Sequence, residues 1–183
     1  MDAEPGGILY LQEFFSDSVN EITFSFIDDD KSELVRTVMK VLVCEDADWL
    51  LSEEAFSIYD SCMYHPTYED YKVQMKDCLT DSSVKVFVCE YRSRKTGIMV
   101  LKLSEAAAEI IGIAVSDNAR RKGIGKQLIQ RVMESENLES VNAQTDDDSI
   151  GFYRKCGFSE EKTIIGYPDG SVVRYNCVLN KIG

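Results

Sequence analysis

Histidine is almost missing from this chain, with His65 alone among 183 residues. It lies three residues after Cys62, a spacing that invites a Cys-His nucleophile or a metal pair, but neither finds a third ligand or an orienting group. His65 therefore reads as an ordinary helix-end histidine, and no metal is expected. C-x-x-C pairs are absent too. The six cysteines, Cys44, Cys62, Cys78, Cys89, Cys156 and Cys177, are irregularly spaced, and four lie in apolar runs where a thiol behaves as a small hydrophobe. That usage suits a reducing compartment. No apolar run approaches the roughly 18 residues of a membrane span, and the opening Met1-Asp-Ala-Glu-Pro5 is acidic where a secretory signal is basic. The expected location is cytoplasmic. Basic residues are also scarce, 20 Lys and Arg against 32 Asp and Glu, giving a net charge of −12 and a pI near 4.5. Such a field repels phosphate backbones and anionic lipid, which disfavours nucleic-acid and membrane partners and attracts amines, though the same charge serves plain solubility.

What is present is 44% apolar residues, enough for one substantial core where two would each be marginal. Ile22, Phe24 and Phe26 alternate along Glu21 to Ile27, a strand pattern that Asp28-Asp-Asp30 ends. Leu34 to Cys44 is rich in Val and Thr and reads as a second strand, although Leu34, Val35, Val38, Met39 and Leu42 also fit helical spacing. Asp48 or Ser52 can cap a helix running to about Cys62, and a second helix is expected from Thr67 to Leu79. Strands follow at Val84 to Tyr91 and Gly97 to Leu103, with residues 92–96 as the turn. Glu109 to Val115 is nearly continuous in apolar residues and is expected to be buried on both faces. Gly123 to Ser135 is amphipathic, with Ile124, Leu128, Ile129, Val132 and Met133 on one side. A strand at Ser140 to Thr145, a helix at Asp147 to Cys156 stopped by Gly157, and strands at Thr163 to Gly166 and Val172 to Leu179 across Pro168-Asp-Gly170 complete a mixed α/β order. Residues 1–20 carry no sustained periodicity.

Within this acidic chain, Val115-Ser-Asp-Asn-Ala-Arg-Arg-Lys-Gly-Ile-Gly125 reverses the local sign. Arg120, Arg121, Lys122 and Lys126 surround Gly123 and Gly125 where a helix begins. Free N–H groups at a helix start, and glycines that let an anion approach the backbone, make a pyrophosphate cradle; a solvated basic turn capping a helix is the competing reading. Two familiar phosphate loops are excluded. A dinucleotide fingerprint needs glycine where Leu128 stands, and a P-loop needs glycine and Ser or Thr where Arg120 and Gln127 stand.

The run Arg120-x-x-Gly123-x-Gly125 after an apolar strand resembles the (Q/R)-x-x-G-x-(G/A) coenzyme A motif of the general-control-related N-acetyltransferase (GNAT) superfamily. Phe152-Tyr-Arg-Lys-Cys-Gly-Phe158 is similar to its F-Y-x-K-x-G-F segment, at the matching distance. The resemblance spans about residues 37–180. It implies a single-domain α/β (α+β) fold with a mixed, mostly antiparallel central sheet flanked by helices. Residues 37–183 would form the acetyltransferase domain, and residues 1–36 an unmatched N-terminal extension with a strand.

The resemblance also implies roles. Backbone groups of Ile113 and Val115 would pair with the pantetheine arm of acetyl-CoA, with Ala114 lining it. Amides from Arg121 through Ile124 and Gly125 to Lys126 would hold the pyrophosphate, and the Arg and Lys side chains can reach the 3′-phosphate. Tyr153 matches the tyrosine that protonates the departing thiolate; packing beside Phe152 and Phe158 is the alternative. Glu109, six residues before Val115, stands where the histone-acetylating branch carries its base. A solvated glutamate, with ordered water as base, is the other reading. Asp146 and Ser149 occupy positions where many members have asparagine and alanine, and enter only as secondary contacts to the coenzyme.

The function these readings give is an N-acetyltransferase that moves acetyl from acetyl-CoA to a primary amine of a small molecule or peptide. A non-catalytic acyl-CoA-binding sensor is the alternative, and a structural protein that has lost the ligand a third reading. The oligomeric state is left open.

Overall fold

The computed structural model describes residues 21–26, 35–167 and 170–181. Strands β3 (Val84–Tyr91) and β4 (Arg94–Ser104) determine the layering. Phe87, Cys89, Met99 and Leu101 are buried on one face of the sheet, Val86, Val88, Ile98 and Val100 on the other. A sheet with two apolar faces requires a helical layer on each. Helices α4 (Ile124–Ser135) and α5 (Ile150–Cys156) supply the first. Helices α1 (Ala47–Leu50), α2 (Glu53–Tyr59) and α3 (Tyr68–Thr80) supply the second.

Among the described residues eight strands run in the order β1-β2-β3-β4-β5-β6-β8-β7, with β1 Glu21–Phe26, β2 Val35–Val43, β5 Ala107–Val115, β6 Ser140–Thr145, β7 Ser159–Tyr167 and β8 Gly170–Asn180. Every neighbouring pair is antiparallel except β5 and β6. The fold is therefore the expected mixed, mostly antiparallel sheet flanked by helices in one domain. Within the stretch from 34 to 44, Val35–Val43 is strand β2, paired with β1 on one side and β3 on the other. Ile27 and Asp28 to Asp30 lie outside the described residues, as do residues 1–20 and the tip of the closing hairpin, 168–169.

Several boundaries differ from the sequence reading. The first helical stretch is two helices and a 3-10 turn at Asp60–Cys62, because two caps compete. Asp46, rather than Asp48, accepts from the Trp49 N–H at 2.9 Å, and Ser52 Oγ accepts from Ala55 N–H at 3.3 Å. The β3–β4 turn is only Arg92 and Ser93, at φ 53° and 59°, a left-handed pair whose twist suits a two-residue hairpin. Helix α5 starts at Ile150, three residues late, because Asp146 Oδ1 accepts from the Ser149 N–H at 3.0 Å and holds the intervening residues as a turn.

The expectation of burial on both faces fails for β5. Glu109 is exposed and Ile111 is 41% exposed. The cause is a β-bulge: Leu101 pairs with Ile110 and Val100 with Gly112, leaving Ile111 as an extra residue. Before it, Ala108 and Ile110 face α4; after it, Ala114 faces α2 and α3 while Ile113 and Val115 take the α4 side. An apolar run hides such a switch, since every residue in it satisfies either face. No helix among the described residues is long and apolar enough to cross a membrane.

Candidate active site

The bulge lies beside a parting of two strands. Parallel pairing of β5 with β6 covers only Ala107 to Ile110 against Ser140 to Ala143. Beyond that, β6 stays with β8 through Thr145 while β5 continues along β4 to Val115. A wedge opens between them. The Ser116 N–H donates to Thr96 O at 2.9 Å, toward β4. Backbone groups alternate sides along a strand, so those of Ile113 and Val115 face the wedge. The Val115 carbonyl already accepts from Arg120 Nε at 3.0 Å, which leaves its N–H as the open group.

At its wide end the wedge meets the glycine loop. Gly123 begins α4 at φ 79°, a left-handed conformation for which glycine is suited, and a side chain there would stand in open space. No side chain caps α4, so its first-turn amides are free, with the positive end of a 12-residue helix behind them. Arg121 precedes them at φ 62°. All four cations are exposed, and two of them bond back to the loop's own backbone. Arg120 also pairs with Asp117 at 3.1 Å, and Lys122 Nζ donates to Asn118 O at 2.8 Å. Arg121 and Lys126 are exposed. Gly125 has a different task from Gly123: a Cβ there would come within 2.8 Å of Phe152 Cε2, so its bareness seats α5 against α4. Ile124 is buried beneath the loop.

Phe152 brings Tyr153 with it. Tyr153 is 6% exposed, edge-on to Phe152 and Phe158 with ring centroids 5.1 and 5.2 Å away. Burial raises its phenol above the ordinary value, with lesser contributions from the Cys177 and Cys62 thiols. Gly157, at φ 94°, ends α5, and the Phe158 N–H donates back to Tyr153 O at 3.1 Å. Asp146 and Ser149 act together in the turn that opens this helix. Asp147 accepts from Tyr175 Oη at 2.7 Å.

Glu109 stands in the part of β5 still paired with β6, opposite Asn142, and is exposed rather than half-buried. The bulge comes after this residue and the wedge opens only beyond Ile110, so Glu109 is solvated, as in the second of its two readings. Ala114 is buried on the α2–α3 side between the two edge-facing residues. His65 is exposed at φ 46° with its ring edge-on to Tyr64.

Sequence reasoning missed a cluster on the other side of the wedge. Tyr59, 1% exposed at the end of α2, lies directly on Gly112, where a Cβ would overlap its hydroxyl and approach Cys62 Sγ to 3.1 Å. The Tyr59 hydroxyl is buried without a hydrogen-bond partner, an arrangement that costs about 1–3 kcal/mol. Cys62 Sγ is beside it but donates to Tyr59 O at 3.1 Å instead. Burial pushes the Cys62 thiol up to about 12. The available signal was Gly112, a lone glycine inside a strand, which marks a bulge or a close approach.

Residues 82–160 match the family model described as Acetyltransferase (GNAT) domain. Among solved structures, the ribosomal-protein-S18-alanine N-acetyltransferase from Escherichia coli is similar at TM-score 0.58 and 16% identity, covering 78% of this chain and 93% of that one. A GNAT family acetyltransferase from Elizabethkingia anophelis with acetyl-CoA bound is similar at TM-score 0.56 and 17% identity, covering 78% and 98%. Spermidine N-acetyltransferase from Vibrio cholerae, in complex with CoA and spermine, gives 0.56 and 17%, covering 78% and 95%. At these identities the likeness to solved structures is one of fold, and no curated protein matches the sequence. The matched segment carries the wedge strand, the glycine loop and Tyr153 together, and the chain shares the fold of these acetyltransferases.

Proposed function

We propose that the protein is an N-acetyltransferase that moves an acetyl group from acetyl-CoA to a primary amine. One observation carries this reading: the edge of β5 freed by its parting from β6 leads directly to the uncapped start of α4. An elongated ligand with an anionic end fits that path and no compact anion needs it. The names of the Escherichia coli and Vibrio cholerae structures both describe N-acetylation, which supports an amine as the acceptor class.

The thioester supplies an electrophilic carbonyl and a thiol leaving group. The chain's residues do the rest. Amides of Arg121 through Lys126 hold the diphosphate, with Gly123 open to it, and Arg120 and Lys122 keep the loop in shape. Ile113 and Val115 present edge groups to the arm, and Ala114 packs beneath it. Asp146 and Ser149 fix the entry of α5 and so the place of Tyr153. In the transfer a C–N bond forms as the C–S bond breaks. Tyr153 hydrogen-bonds to the leaving sulfur and gives it a proton; the amine's surplus proton passes to water, with Glu109 as its exposed receiver. Residues 37–183 form the catalytic domain on this reading, and residues 1–36 an extension whose strand β1 lengthens the sheet.

The test is release of free thiol when the purified protein meets acetyl-CoA and a panel of primary amines and peptides. Thiol release with at least one amine, with a matching mass gain of one acetyl, is expected. Binding of acetyl-CoA without release for any amine would replace the enzyme with an acyl-CoA-binding module.

A further inference from the structure

The Tyr59 hydroxyl is the one buried side-chain polar atom left unpartnered among the described residues, and its position is informative. An arm running from the loop along Val115 and Ile113 ends where the wedge closes, because β6 pairs with β5 again at Ile110. Gly112 stands two residues before that closure, with only the bulged Ile111 between, and Tyr59 Oη rests on it. The Ile113 amide faces the same spot and lies beside Cys62 Sγ. Two donors therefore converge at the closed end of the wedge, an O–H from α2 and an N–H from β5, with a thiol seated between them.

We infer that Tyr59 donates a hydrogen bond to the acyl carbonyl oxygen, jointly with the Ile113 amide, and that the Cys62 thiol holds this place until the acyl group enters. This rests on the acetyl-CoA reading. As the C–N bond forms and the C–S bond breaks, the carbonyl oxygen gains negative charge, and two donors are aimed at it. Tyr59 keeps its proton throughout; the proton lost by the amine goes to water and the one gained by the thiolate comes from Tyr153. Gly112 is what allows the contact, since any side chain there would push the ring away. Its neighbour Cys62 ends a single 3-10 turn, Asp60–Cys62, with its thiol turned inward onto Tyr59 O at 3.1 Å although the residue as a whole is exposed.

The experiment compares affinities for acetyl-CoA and free CoA by calorimetry, in the full chain and in Tyr59→Phe. The two ligands differ only in the acyl group. The unmodified protein should bind acetyl-CoA about five- to tenfold more tightly than CoA, the worth of a hydrogen bond that repairs a buried unpaired donor. In Tyr59→Phe that preference should collapse to within about twofold while CoA binding is retained. The variant should melt no lower than the parent, since the hydroxyl it loses has no partner. Gly112→Ala, which displaces the ring, should erase the preference by an independent route. A Tyr59→Phe protein that keeps the full preference, or a parent that binds both ligands equally, overturns the assignment of Tyr59 alone. A parent that binds neither overturns the coenzyme reading and this inference with it.

Discussion

Tyr153 is held by Phe152 and Phe158 and kept protonated by burial, which makes it a weaker acid than a free phenol. In the proposed reaction its service to the leaving sulfur would be a hydrogen bond that strengthens as charge develops, with transfer completed late. Replacing it by Phe should lower kcat about 10²-fold while leaving the KM for acetyl-CoA within about twofold, read from steady-state thiol release. A raised KM with unchanged kcat would make Tyr153 a binding residue. This residue was legible in the sequence because F-Y-x-K-x-G-F is a local pattern, as was the loop around Gly123. Tyr59 was not, because its partner is Gly112, 53 positions away in the numbering, and only the fold brings them together. The choice between the two readings of Glu109 was closed to the sequence for the same reason, since nothing local announces where β6 leaves β5.

At the scale of elements, the strand and helix order followed the hydrophobic periodicity closely. β3, β6 and β1 fall almost on the expected limits because turns and acidic runs punctuate them. The bulge in β5 escaped notice, since Ile110 to Val115 offers apolar residues to both faces and no polar residue marks the switch. The two glycines of the loop also proved unequal, one left-handed with open space beside it and one packed closely against Phe152. Gly125→Val should therefore destabilise the protein by about 1–3 kcal/mol in urea unfolding, through overpacking against Phe152, and weaken acetyl-CoA binding by shifting α5. Unchanged stability would mean that Phe152 moves aside freely and that Gly125 has no packing role.

For the whole molecule, the surplus of acidic groups favours amine partners, while the buried titratable groups govern the response to pH. Burial raises Tyr59, Tyr153, Cys62 and Cys89, the last two from 9.0 to about 12. The unfolded chain therefore loses these protons first. The stability they contribute is complete below about pH 9 and falls as pH climbs from there toward about 12. Urea midpoints should be level near neutrality and decline steadily above pH 9; a level profile to pH 11 would mean that these groups are not buried in solution. The central claim, that the parted edge of β5 and the uncapped start of α4 form one path for a coenzyme, is tested most directly by isothermal calorimetry with acetyl-CoA on the intact chain and on Gly123→Glu. The account expects one molecule bound per chain and no measurable binding to the folded variant, whose side chain stands in the diphosphate's place. No heat of association for the intact chain at millimolar acetyl-CoA, or equal affinity in both proteins, would contradict it.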